Sequence, residues 1–209
     1  MKSFQFHKGL ALPLDAINID TDQILPARFL QKRRLDPDYA TYLFHDLRYD
    51  KNGGENTDFV LNNPFYKNAT IIVANSNFGG GSSREAAVFA LDAFGIRSVI
   101  APNFGDIFFN NCFKNGILPV VLTKRKIDRL RALLHRSPGS NVEIDLIRQT
   151  VSSINGIVDH FEVSPTAKHN LMMGLGQIGL TMKHSKAIDD FELRYKANMR
   201  TWPRDVKTS

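Results

Sequence analysis

The sequence predicts an α/β domain built on a mixed sheet, with crossover helices on one side and antiparallel additions. Three observations carry this. From Ile71 onward, apolar β-branched runs alternate with segments of helical period. The first of those runs passes through three consecutive glycines straight into a helix. Later, Val142, Ile144 and Leu146 alternate with polar residues, and Asn155-Gly156 then joins two short runs as a hairpin signal. At 209 residues, 43% of them hydrophobic, the chain suits a single domain with a proper core over residues 1–209.

The opening stretch, LALPLDAINIDTDQILPARFL, reads as short strands broken by Pro13 and Pro26. Between them lies a polar turn, Asp20, Thr21 and Asp22, whose side chains are expected to bond their own backbone. The segment from Gln31 to Phe59 is polar, carries Asn52-Gly53-Gly54 and has little periodicity. It is expected to form loop and short helix, a lid or interface segment over about residues 30–62, poorly ordered without a partner.

The regular part follows as strand Ile71–Ala74, helix Ser83–Phe94, strand Ser98–Ala101, helix Asp106–Asn115 stopped by Gly116, strand Ile117–Leu122 and helix Lys126–Arg136. That alternation calls for parallel strands with helical crossovers. In the last helix Ile127, Leu130, Leu133 and Leu134 mark one apolar face, so its basic residues fall mainly on the other. Ser164-Pro165 starts a helix ending near Gly174, and Ser185 starts another through Ile188, Phe191 and Tyr195. Together they make a helical C-terminal extension over about residues 165–209.

The chemistry concentrates between Ile71 and Gly95. Gly79, Gly80 and Gly81 let the backbone approach a ligand closely, and the helix that follows points unpaired N–H groups and a partial positive charge at the same place. An anion fits there. Ser82 followed by Glu85 also reads as a capping box, which needs no chemistry at all. Capping does not explain Arg84, whose guanidinium can grip a carboxylate or phosphate through two parallel hydrogen bonds. A dinucleotide fingerprint fails because Arg84 stands where its third small residue belongs, and a P-loop fails because no lysine precedes Ser82.

A single cysteine, Cys112, excludes an internal disulfide and an iron–sulfur cluster held by this chain alone. The six histidines lack metal-ligand spacing, so no metal site is expected. The net charge of +6 suits an acidic ligand or partner. Basic residues gather at Lys32-Arg33-Arg34, around Lys124–Arg131 and in the C-terminal tail, with no recognised nucleic-acid module, so no nucleic-acid partner is expected. Apolar runs are short and no secretory leader opens the chain, which points to the cytoplasm and away from a membrane.

Four stretches, NIDTDQILPARFLQK, NFGGGSSRE, VIAPNFGDIFFNNCFKNGILPV and HNLMMGLGQIGLT, together resemble the small subunits of bacterial 3-isopropylmalate dehydratase, relatives of the aconitase swivelling domain. The likeness runs in order from about Leu10 to Phe191. It implies a three-layer β/β/α domain that docks on a large subunit that bears a [4Fe-4S] cluster, the pair interconverting 2-isopropylmalate and 3-isopropylmalate in leucine biosynthesis. It further implies Ser82 as catalytic base, Ser83 and Arg84 as holders of a substrate carboxylate, and Lys32, Arg33 and Arg34 as part of a segment that bears on substrate choice. The sequence departs from the family at Ala86, where histidine is common, and at Gly80, where many members have cysteine. Two readings therefore stay beside the main one: a sister hydro-lyase acting on citraconate, maleate or dimethylmalate, and a non-catalytic binding module.

Overall fold

The computed structural model describes residues 1–198. The basic tail and the end of the expected C-terminal extension lie outside the described residues. Strand β1 (Phe6–Leu14) joins the two halves of the sheet. Its second half pairs in parallel with β2 (Ile71–Ala74), Ala11 opposite Ile71 through Leu14 opposite Ala74. Its first half pairs antiparallel with β5 (Asn141–Asp145), Phe6 opposite Asp145 through Leu10 opposite Asn141. Around it the strand order is β4-β3-β2-β1-β5-β6-β7, where β3 is Ser98–Ala101, β4 is Leu118–Val121, β6 is Thr150–Ser152 and β7 is Val158–His160.

The strand is not broken at Pro13, contrary to the expectation from sequence, and register supplies the reason. Ala11 N donates to Ser140 O at 3.0 Å, and Pro13, two residues on and facing the same side, lies past the start of β5. No neighbouring strand asks for an N–H there.

Strands β2 and β3 are buried at every position, as parallel strands covered on both faces must be. The crossover helices α3 (Glu85–Phe94) and α4 (Asp106–Asn115) lie on one side. Their Ala87, Val88, Leu91, Phe108 and Cys112 share a core with Leu12, Ile72 and Val99 of the sheet. On the other side α5 (Lys124–Arg136) packs Ile127, Leu130 and Leu134 against Ile71, Val73 and Ile100, in a core that also takes Val142, Ile144 and Val151 from the antiparallel half. The sheet therefore curls, and the layers run from α3 and α4 through the parallel strands to the antiparallel strands with α5.

The polar segment after β1 holds two single-turn helices, α1 (Thr21–Ile24) and α2 (His45–Arg48), and several 3-10 turns. It is fastened from within: Tyr39, Leu43, Phe44 and Leu61 are buried in the core with α3, and Phe44 N donates to Ile24 O at 2.9 Å. Each such buried Leu or Phe is worth about 1.5–3 kcal/mol. Averaged over the segment, its charged residues hide these anchors. Past β7 come α6 (Pro165–Met173), α7 (Gln177–Met182), which the sequence did not signal, and α8 (Ser185–Asn198).

Candidate functional site

The site joins two stretches about sixty residues apart in sequence. One is the turn after β1; the other is the glycine loop between β2 and α3. Gly79 N donates to Ile19 O at 2.6 Å and Thr21 N donates to Gly80 O at 3.0 Å, so the two backbones are paired where they pass. Gly79 is buried with φ +72, and a Cβ added there would fall 2.3 Å from Cγ of Phe108. Only glycine meets both demands. Gly81 also takes a positive φ, +88, but without the steric conflict.

The α1 turn holds the other side of the site. The Asp20 carboxylate accepts from Gln23 N at 2.7 Å while Asp20 N donates to Gln23 Oε1 at 3.0 Å, a closed capping box. Asp20 thus bonds its own backbone as expected of a turn acid. Thr21 and Asp22 do not. Thr21 is 1% exposed, donates through Oγ1 to Ser82 O at 3.0 Å and lies 3.4 Å from Ser82 Oγ. Asp22 Oδ1 accepts from Arg84 Nη1 in an ion pair. Neither partnership was signalled by the sequence, because side-chain pairing between distant loops leaves no local pattern.

Helix α3 begins at Glu85, two residues later than expected, with Arg84 at the N-cap position and no side-chain cap. The capping box proposed for Ser82 and Glu85 does not form. Glu85 Oε1 instead accepts from Asn115 Nδ2 at 2.8 Å, and the Ser82 and Ser83 side chains stand exposed before the uncapped helix mouth. Ser82 O accepts from Arg84 N at 2.8 Å. The local result is an exposed serine hydroxyl, a guanidinium and the positive end of a helix dipole within one short loop.

The basic triplet is arranged differently. Arg34 reaches α3 and α4, donating to Asp92 Oδ2 at 3.3 Å and Asn115 Oδ1 at 3.4 Å with its guanidinium 4.2 Å from the Phe89 ring centre. Lys32 and Arg33 make no ion pair with the described residues, and with Arg34 and Leu35 they line an open cavity of about 770 Å³. The structure therefore brings Asp20, Thr21, Asp22, Gly79, Gly80, Gly81, Ser82, Ser83 and Arg84 together. It does not bring Lys32, Arg33 or Arg34 into hydrogen-bond contact with that group.

Comparison with known proteins follows the same lines. The family model for the aconitase C-terminal domain matches residues 1–125, and the model for the C-terminal domain of the 3-isopropylmalate dehydratase small subunit matches residues 178–201. The chain is 46% identical over 202 residues to the 3-isopropylmalate dehydratase small subunit of Dinoroseobacter shibae, covering 97% of this chain and 100% of that protein. The namesake from Roseobacter denitrificans is 47% identical over the same shares. The chain belongs to the family of 3-isopropylmalate dehydratase small subunits. The crystal structure of 3-isopropylmalate dehydratase from Methanocaldococcus jannaschii shares the fold, with a TM-score of 0.64 at 28% identity over 90% of this chain and 99% of that one.

Gly80 and Ala86 stand where the resemblance implies cysteine and histidine. A Cβ at Gly80 would lie 3.2 Å from Asn77 Oδ1, so a cysteine there requires Asn77 to give way. Ala86 is half-buried against the core that α3 shares with the sheet, and a histidine there would have to leave that packing. Cys112, the one cysteine, is fully buried on α4, and burial pushes its thiol well up from the ordinary value. Among the described residues no group of three His, Cys, Asp or Glu is placed to hold a metal ion, and no helix is long and apolar enough to cross a membrane.

Proposed function

We propose that Ser82 is the catalytic base of a hydro-lyase that interconverts 2-isopropylmalate and 3-isopropylmalate in leucine biosynthesis, with Ser83 and Arg84 holding a substrate carboxylate. The observation that carries this reading is the exposed Ser82 hydroxyl, free of any capping role, beside Arg84 at the uncapped start of α3. Removing a proton next to a carboxylate needs a base whose anion is stabilised, and an unaided serine is a poor one. The helix start contributes about 0.3–1 kcal/mol toward a nearby anion. Arg84, held in place by Asp22, neutralises the substrate carboxylate. Neither makes serine basic by itself; exclusion of water by a docked partner supplies the rest.

The other half of the site belongs to a large subunit in the cytoplasm. Departure of hydroxide calls for a Lewis acid, and a [4Fe-4S] cluster needs several thiolates. The described residues of this chain do not fit such a group, since their lone thiol is buried. The segment over residues 30–62 is the lid or interface toward that subunit, with Leu35 exposed and Lys32 and Arg33 able to meet an anionic group. The departures at Gly80 and Ala86 keep a second reading beside it, a sister hydro-lyase acting on citraconate, maleate or dimethylmalate. The test is to combine this chain with its large subunit and assay a panel of hydroxy-dicarboxylates. Turnover of 2-isopropylmalate supports the first reading; turnover of citraconate without it selects the second.

A further inference from the structure

Thr21 combines a buried side chain with a hydroxyl aimed at an exposed serine. Its position is fixed from three directions: its N donates to Gly80 O at 3.0 Å, its O accepts from Leu25 N at 3.0 Å, and the Asp20–Gln23 capping box closes the turn that carries it. Its β-branched side chain leaves little rotamer freedom. A threonine hydroxyl has one proton to give and lone pairs to accept with. The proton lies within reach of two atoms of Ser82, the carbonyl oxygen at 3.0 Å and Oγ at 3.4 Å. The carbonyl also accepts from Arg84 N at 2.8 Å, so it keeps a donor if the threonine turns away.

We propose that Thr21 is a positioning residue with a switchable donor, an inference that rests on Ser82 being the base. When Ser82 is protonated, its hydroxyl donates to Thr21 Oγ1 while Thr21 donates to Ser82 O. When Ser82 is the alkoxide, the Thr21 hydroxyl rotates and donates to Ser82 Oγ. As the alkoxide takes the substrate proton, the donor swings back, and Thr21 neither gains nor loses a proton. A hydrogen bond to an ionised oxygen is shorter and about twice as strong as a neutral one, so the contact favours the form of Ser82 that does the chemistry. The geometry tightens in the assembled complex, as catalytic hydrogen bonds commonly do.

The experiment compares wild type, Thr21→Val, Thr21→Ser and Ser82→Ala, each combined with the large subunit, for kcat and KM on 2-isopropylmalate across a range of pH, with thermal unfolding of each. Loss of one donor to a developing oxyanion costs roughly 10²–10³-fold in kcat. Thr21→Val is expected to fall by about that factor with KM nearly unchanged and its alkaline-rising pH limb displaced upward, and Thr21→Ser to recover most of the loss. If Thr21→Val does not fold, Thr21→Ala removes the hydroxyl without added bulk and carries the same expectation. Full kcat in the hydroxyl-free variant, or Thr21→Ser as impaired as Thr21→Val, overturns the proposal while an inactive Ser82→Ala leaves the base in place. An active Ser82→Ala overturns the reading of Ser82 itself, and with it the role of Thr21.

Discussion

Replacing Gly79 with alanine tests how the loop is built. The residue has φ +72, and an added Cβ would stand 2.3 Å from Cγ and 2.5 Å from Cδ1 of Phe108, which is itself 2% exposed. The left-handed backbone costs a non-glycine residue roughly 1–2 kcal/mol, and forcing a methyl into a packed core costs about 1–3 kcal/mol more. Gly79→Ala should therefore destabilise by roughly 2–5 kcal/mol, a fall in Tm of about 4–20 °C for a chain of this size. Gly81→Ala is the control: φ is +88, but the nearest atom to its Cβ is Asp20 Cβ at an ordinary 3.5 Å, so it should show the backbone cost alone. The assay is urea unfolding of both variants, repeated with Phe108→Leu. Equal destabilisation of the two glycine variants would refute the claim that the Phe108 ring sets the loop.

Three further outcomes follow from the same geometry. Asp22→Asn should raise KM about tenfold, corresponding to about 1.4 kcal/mol, in steady-state kinetics of the assembled enzyme. Its stability should change by no more than about 1 kcal/mol, because the pair is exposed on the Asp22 side; a lower KM would mean that Asp22 competes with substrate instead of orienting Arg84. Burial, and then the charge of Arg97, hold the His7 imidazole below its ordinary 6.5, so the unfolded chain binds the proton more readily. Stability should be full above about pH 6.5 and fall as pH drops toward the folded-state value, and His7→Gln should flatten that slope in unfolding measured against pH. In hydrogen exchange of the free chain, the Phe44 amide, bonded to Ile24 O, should be protected while the stretch at residues 31–37 exchanges fast; uniform fast exchange across both would contradict the buried anchoring.

The regular half of the fold was legible because its signals are local. The all-apolar strands at Ile71–Ala74 and Ser98–Ala101, and the glycines at 95 and 116 that end α3 and α4 in a left-handed conformation, mark their own boundaries. Pro13 misled because its tolerance depends on where β5 begins, a fact of register and not of composition. Ser82 and Glu85 misled for a related reason: they carry the letters of a capping box, but Asn115 from α4 takes Glu85 and the loop's pairing with the α1 turn draws Ser82 out of the cap position. The glycine loop, Ser82 and Arg84 stood out from the letters alone. Their partners Thr21 and Asp22 could be placed in a turn but not against the serine and arginine, since nothing local encodes a contact between loops so far apart in sequence.

Turnover of 2-isopropylmalate by the wild-type chain and by Ser82→Ala, each measured alone and with the large subunit, tests the central claim most directly. The account predicts activity only in the wild-type pair, with Ser82→Ala folded and still bound to its partner. Activity in the Ser82→Ala pair, or in the isolated wild-type chain, would contradict it.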